Sequence, residues 1–167
     1  MKLKYITTGF CLILLSSISF SQNENQIKKI DQYDDKGIKI ILFCGDYSFV
    51  EQWQKPETPK LITKNTIKRG DDLVPFIVFS SNNLNENGNA SLTYDIKVIS
   101  PDSSTYFDQK NLLLWKDSPS NNLNLVQQYI RIFIEEKDQL GIYTVEVEVT
   151  GKNINIVVPL SVNFEVK

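Results

Sequence analysis

From Ser91 to Ser100 apolar and polar residues alternate without a break. Leu92, Tyr94, Ile96 and Val98 fall on one face, and Thr93, Asp95 and Lys97 on the other. A period of two is the mark of a half-buried β-strand. The same rhythm returns at the end of the chain. Tyr143, Val145, Val147 and Val149 face one way, Glu146 and Glu148 the other, and a turn at Gly151-Lys152-Asn153 follows. Ile154, Ile156, Val158, Leu160, Val162 and Phe164 then share one face, so the two runs read as a β-hairpin. Pro159 lies on the opposite face and lacks an N–H, which predicts an edge, a bulge or a change of sheet there.

Less regular stretches fill in the rest. Ile38–Phe43 is a short apolar run suited to a strand buried on both faces, and it should anchor an N-terminal extension by adding to a sheet edge. Tyr47, Phe49 and Trp53 are followed by Pro56 and Pro59, which predicts a loop or a sheet edge. Leu61–Ile67 reads as an edge strand, and Leu73–Ser80 and Val126–Glu135 as full strands. Leu112–Trp115 reads as a short strand, while Ser81–Ala90 and Lys116–Asn124 are polar loops. Pro101-Asp102-Ser103-Ser104 is a turn by composition. No segment of useful length has helical periodicity, so the fold expected is all-β, an antiparallel sandwich.

Asp138-x-x-Gly141-x-Tyr143, placed just ahead of the closing hairpin, resembles the tyrosine corner of immunoglobulin-like sandwiches. The resemblance covers Leu61–Lys167. It implies that Leu73–Ser80 acts as strand B, Ser91–Ser100 as strand C, Val126–Glu135 as strand E, and the hairpin as strands F and G. It also implies that the Tyr143 hydroxyl bonds backbone between Glu135 and Leu140, with Asp138, Gly141 and Tyr143 as structural residues. Val145 stands where a second cysteine would, and no tryptophan lies on the strand matched to C. Residues 37–60 become an N-terminal extension of aromatic and proline character, and 22–36 a flexible lead-in.

The N-terminus carries its own signal. Lys2 and Lys4 precede an uncharged run from Tyr5 to Phe20, and Ser19-Phe20-Ser21 places small residues around a cut before Gln22. Those are the parts of a secretory signal peptide over residues 1–21. The run of 16 residues is short of the roughly 20 needed to span a bilayer. The expected location is therefore periplasmic or extracellular, with no integral membrane segment after cleavage. Without Lys2 and Lys4 the charge is 16 Lys+Arg against 20 Asp+Glu, or −4, which argues against a nucleic acid partner.

Chemistry-bearing residues are few. The chain has no histidine, the side chain most often recruited for proton transfer near neutral pH. Cys44 is the one cysteine beyond Ser21, and its apolar neighbours predict a buried thiol rather than a nucleophile. Acidic groups at Asp31/Asp34/Asp35, Asp71/Asp72 and Glu135/Glu136/Asp138 lack calcium-loop spacing, so no metal site and no cofactor are expected. Arg69-Gly70-Asp71 matches an adhesive tripeptide, but a turn between strands explains it. Asn89-Ala90-Ser91 has the form of a glycosylation sequon.

Tyr47, Phe49, Trp53, Tyr106, Phe107 and Trp115 are left as candidates for an aromatic binding surface. The competing expectation is that they pack the extension onto the sandwich, with Trp53 in the core. The leading function is a non-catalytic exported module that recognises a protein or glycan, acting as a monomer. A periplasmic inhibitor or immunity-type protein is the second class, and a hydrolase using paired carboxylates the third.

Overall fold

The structure, a computed structural model, describes residues 27–35, 37–57, 59–81, 90–119, 123–152 and 154–167. It is an all-β sandwich. The strands are β1 (Ile30–Asp35), β2 (Ile38–Gly45), β3 (Thr66–Ile67), β4 (Asp72–Ser81), β5 (Ala90–Ile99), β6 (Thr105–Asp117), β7 (Asn124–Leu125), β8 (Ile132–Phe133), β9 (Gly141–Gly151) and β10 (Ile156–Val166). One short helix, α1 (Ser48–Trp53), follows β2. The first sheet runs β1-β2-β4-β7, with β8 also pairing β4, and the second runs β3-β10-β9-β5-β6. The expected signal peptide, Asn89 of the sequon and residues 82–89 of the expected Ser81–Ala90 loop lie outside the described residues. No helix among the described residues is long and apolar enough to cross a membrane.

The alternating runs form the second sheet in the register that their pattern requires. Val145 pairs Val98 on one side and Val162 on the other, and all three are fully buried. Pro159 pairs Glu148 across β9–β10. The N–H groups of Ser161 and Asn163 point away from β9, onto Asp31 Oδ2 and the Lys28 carbonyl. Pro159 shares their parity, so its missing donor faces the open side of β10, where no ladder bond is lost. Of the edge, bulge or change of sheet expected at Pro159, the edge is the one present.

Four expectations need correction. Residues 30–35 were expected to be a flexible lead-in, yet they form β1, paired to β2 from Ile30↔Phe43 to Asp35↔Ile38. Only Asp31 and Tyr33 on it are half-buried, and one of those is a carboxylate, so the sequence shows no apolar alternation. Residues 37–60 are no extension: β2 sits between β1 and β4, paired to β4 over its whole length. Leu61–Ile67 pairs only at Thr66 and Ile67, parallel to β10. Val126–Glu135 is not one strand either. The Val126 N–H donates to Ile77 O in the first sheet, and the next N–H, of Gln127, to Leu114 O in the second. The chain crosses between sheets there, with the Tyr94 hydroxyl holding Gln128 O from inside at 2.6 Å.

The corner hydrogen bond expected from the motif is made. The Tyr143 hydroxyl donates to Gln139 O at 3.0 Å, and its ring stacks on Phe164 with centroids 5.2 Å apart. Gly141 has φ of +127°, and a Cβ there would come within 3.1 Å of Pro101.

Candidate functional site

Aromatic residues from separate parts of the chain meet on the outer face of the first sheet. Alternation along β2 and β4 sends Leu42 and Ile77 inward and the paired Phe43 and Phe76 outward. Two apolar rings on an outer face require a cover, and α1 supplies it. The Asp46 carboxylate takes the Ser48 N–H at 2.9 Å and its carbonyl the Phe49 N–H, which starts the turn. Phe49 and Trp53, four residues apart, then share the face turned to the sheet, with ring centroids 5.7 Å apart. Phe49 meets Phe43 edge-on at 5.2 Å and Phe76 at 5.0 Å. The two prolines only end the helix, and the sequence reading of this segment as a loop or sheet edge gives way to one amphipathic turn of α-helix.

Tyr129, on the crossing segment, joins the cluster from the other side. Its ring lies 6.3 Å from Phe76 and 5.8 Å from Tyr47, and the two hydroxyls are 3.1 Å apart. The Arg131 guanidinium sits 5.1 Å from the Tyr47 ring centroid and pairs with Asp72, a cation–π contact held in place by a carboxylate. Beside this cluster lies an open groove of about 490 Å³ lined by Val50, Trp53, Gln54, Trp115, Ser118, Leu123, Asn124, Leu125, Val126 and Tyr129. Trp115 reaches it from β6. Its ring packs edge-on against Phe79 at 5.6 Å, and its buried Nε1 has no hydrogen-bond partner among the described residues.

The six aromatic candidates therefore divide. Trp53 and Trp115 line the groove, and Tyr47 borders it through Tyr129. Trp53 is half-buried, between the core and the contact outcome. Phe49 is only 4% exposed and belongs to the core. Tyr106 belongs to the corner: its hydroxyl donates to Asp138 Oδ2 at 2.6 Å and lies 2.8 Å from Phe133 O, and its ring meets Tyr143 edge-on. Burial first, and then the Asp138 carboxylate, hold its phenol well above the ordinary tyrosine range. Phe107 borders a separate hollow with Tyr106 and Phe133. Tyr129 was missed because its segment read as plain strand. Only the crossing of the two sheets brings it to Trp53.

The remaining candidates have structural employment. Cys44 is fully buried, and burial pushes its thiol up to about 12. In Arg69-Gly70-Asp71, Gly70 takes φ of +84°, its N–H donates to Ile134 O at 2.7 Å, and Arg69 Nε donates to Asp138 O. Asp31 takes the Ser161 N–H and pairs with Lys28, and Asp138 accepts the Glu135 N–H. Among the described residues no three potential ligands gather in reach of one metal ion. A second, shallow trough of about 560 Å³ runs over the outer face of the second sheet. There Asp95 stands opposite Glu148, and Lys97 opposite both Glu146 and Asp108. These acids are cross-strand neighbours on an open face, interleaved with lysines.

No protein-family model matches the chain, and no curated protein matches it in sequence. Among solved structures it is similar to a family 123 glycoside hydrolase from Clostridium perfringens. Identity there is 15%, over 77% of this chain and 27% of that one, with a TM-score of 0.44. It is also similar to a Niemann-Pick type C2 protein from Japanese carpenter ant, at 11% identity over 85% and 94% of the two chains, with a TM-score of 0.42. The PmoD soluble domain from Methylocystis sp. ATCC 49242 (Rockwell) follows, at 13% identity over 81% and 96%, with a TM-score of 0.34.

Proposed function

We propose that the chain is an exported, immunoglobulin-like, non-catalytic binding module whose partner, a protein or a glycan, lies in the groove between α1 and β6. The observation that carries this is the gathering of Trp53, Trp115 and Tyr129 from three distant segments onto one open groove. Indole and phenol rings combine large apolar area with a polar tip, the chemistry of contact surfaces. The sandwich reading is supported by strand order. The run β10-β9-β5-β6 has the neighbours of an immunoglobulin G-F-C-C′ sheet, and β2-β4-β7 those of A-B-E. Export is supported by the charged, apolar and small-residue segments of 1–21. The carboxylate hydrolase is the poorer reading, because Asp95 and Glu148 share an open sheet face rather than facing one another across a cleft.

Retention of cell-envelope components on immobilised protein tests the reading, with folded Trp53→Ala compared against the parent. At least one component is expected to be held by the parent and lost from the variant. Equal retention by both would remove the groove from consideration as the binding site.

A further inference from the structure

Resting on that binding role, we infer that the groove takes a neutral oligosaccharide. Charge is the first reason. Asp, Glu, Lys and Arg make up 23% of the chain, yet none of the ten described residues lining this groove is one of them. An anionic glycan, a phosphate or a charged peptide would leave its hydration there and find no counter-charge, a cost that a neutral ligand avoids. The chain's net negative charge, with or without residues 1–21, adds a weak repulsion toward anions.

The shape and donor set point the same way. Trp53 and Trp115 both line the groove, and an indole is the kind of flat apolar surface that matches the C–H face of a pyranose ring. The amide of Gln54, exposed at the rim, has both a donor and an acceptor to offer sugar hydroxyls. Small-ligand sites are mostly apolar with a few placed polar groups and run to roughly 300–1,000 Å³, and this groove of about 490 Å³ is of that kind. It is open rather than enclosed, as a site must be to bind a few units within a longer chain. A peptide strand would instead seek an unpaired sheet edge, but here the N–H groups of Leu113 and Lys116 on β6 are taken by the side chains of Gln128 and Gln127.

The molecule carries its own reporter, since Trp53 and Trp115 are its only tryptophans and both line the groove. Intrinsic emission is therefore titrated with neutral hexasaccharides of glucose, mannose, xylose and N-acetylglucosamine. Parallel arms use hexagalacturonate and a pool of uncharged decapeptides. The expected result is a saturable change in emission with at least one neutral hexasaccharide and none with hexagalacturonate. Affinity should fall roughly tenfold or more in Trp53→Ala and partly recover in Trp53→Phe. Gln54→Ala, at an exposed rim position, should weaken binding several-fold while leaving the fold intact. No response to any neutral hexasaccharide overturns the inference. So does saturable binding confined to the peptides or to hexagalacturonate, although the broader binding role would survive that result. The groove as the binding site falls only when envelope retention is indifferent to Trp53.

Discussion

The Tyr106 hydroxyl donates to Asp138 Oδ2 at 2.6 Å, tying the start of β6 to a corner 32 residues further on. The same oxygen takes the Glu135 N–H at 2.7 Å. One carboxylate thus closes its own turn and fastens it to the facing sheet. Charge-assisted hydrogen bonds of this kind are the stronger sort. Tyr106→Phe and Asp138→Asn should each cost about 1–2 kcal/mol in urea unfolding. In the double variant the losses should overlap by about 1 kcal/mol. Strict additivity would show that the two residues act independently.

Tyr143→Phe removes one hydrogen bond and leaves the ring stacked on Phe164. Gln139 is exposed, so its carbonyl can turn to water. A loss of about 1 kcal/mol is therefore expected, below the cost of stranding a buried acceptor. A midpoint shift with unchanged urea slope is the signature to look for.

Phe49 and Trp53 sit one turn apart on α1 and differ in what covers them. Phe49→Ala should cost about 3–5 kcal/mol, as large-to-small core changes do. Trp53→Ala, at a half-buried ring, should cost about half as much. Equal losses would place Trp53 in the core and leave the groove without its principal wall.

Asp102 gives the acid limb of stability. Hydrogen bonds from Ser104 first, and then from Gln139 and Ser100, hold its carboxyl well below the usual carboxylate range. A carboxyl whose folded pKa is depressed contributes above its unfolded value of 3.8 and loses that contribution as pH falls through the folded value. The urea midpoint should therefore drop on acidification below pH 3.8, and drop less steeply in Asp102→Ala. Parallel curves for the two proteins would contradict this.

Cys44 gives the alkaline limb and a test of burial. Its folded pKa of about 12 lies above the ordinary thiol value of 9.0, so its contribution is intact below pH 9 and is lost as pH rises toward 12. At pH 8 a thiol reagent should leave the native protein unmodified and label Cys44 at once in denaturant. Fast native labelling would mean that β2 opens readily.

Alternation by itself determined β5, β9 and β10, because a strand with one face in the core must place an apolar side chain at every second position. Burial along Leu92–Val98 and Tyr143–Val149 follows that rule residue by residue. The corner hydroxyl was legible for a similar reason, since Tyr143 and Gln139 are only four residues apart and their bond is local. What lacked a local cause could not be read. β1 has a single apolar or aromatic residue on each face, Ile30 and Tyr33, too few to show a period, and is a strand because β2 lends it a ladder. Val126–Glu135 is apolar enough for a strand, but Ile77 and Leu114, in opposite sheets, compete for its donors and pull it across. α1 forms because Phe43 and Phe76 come together on an outer face that needs covering, and one helical turn is too short to announce itself as a period. The groove follows from all of these at once. Its walls come from α1, β6 and the crossing segment, and only long-range packing decides which aromatic residues become neighbours.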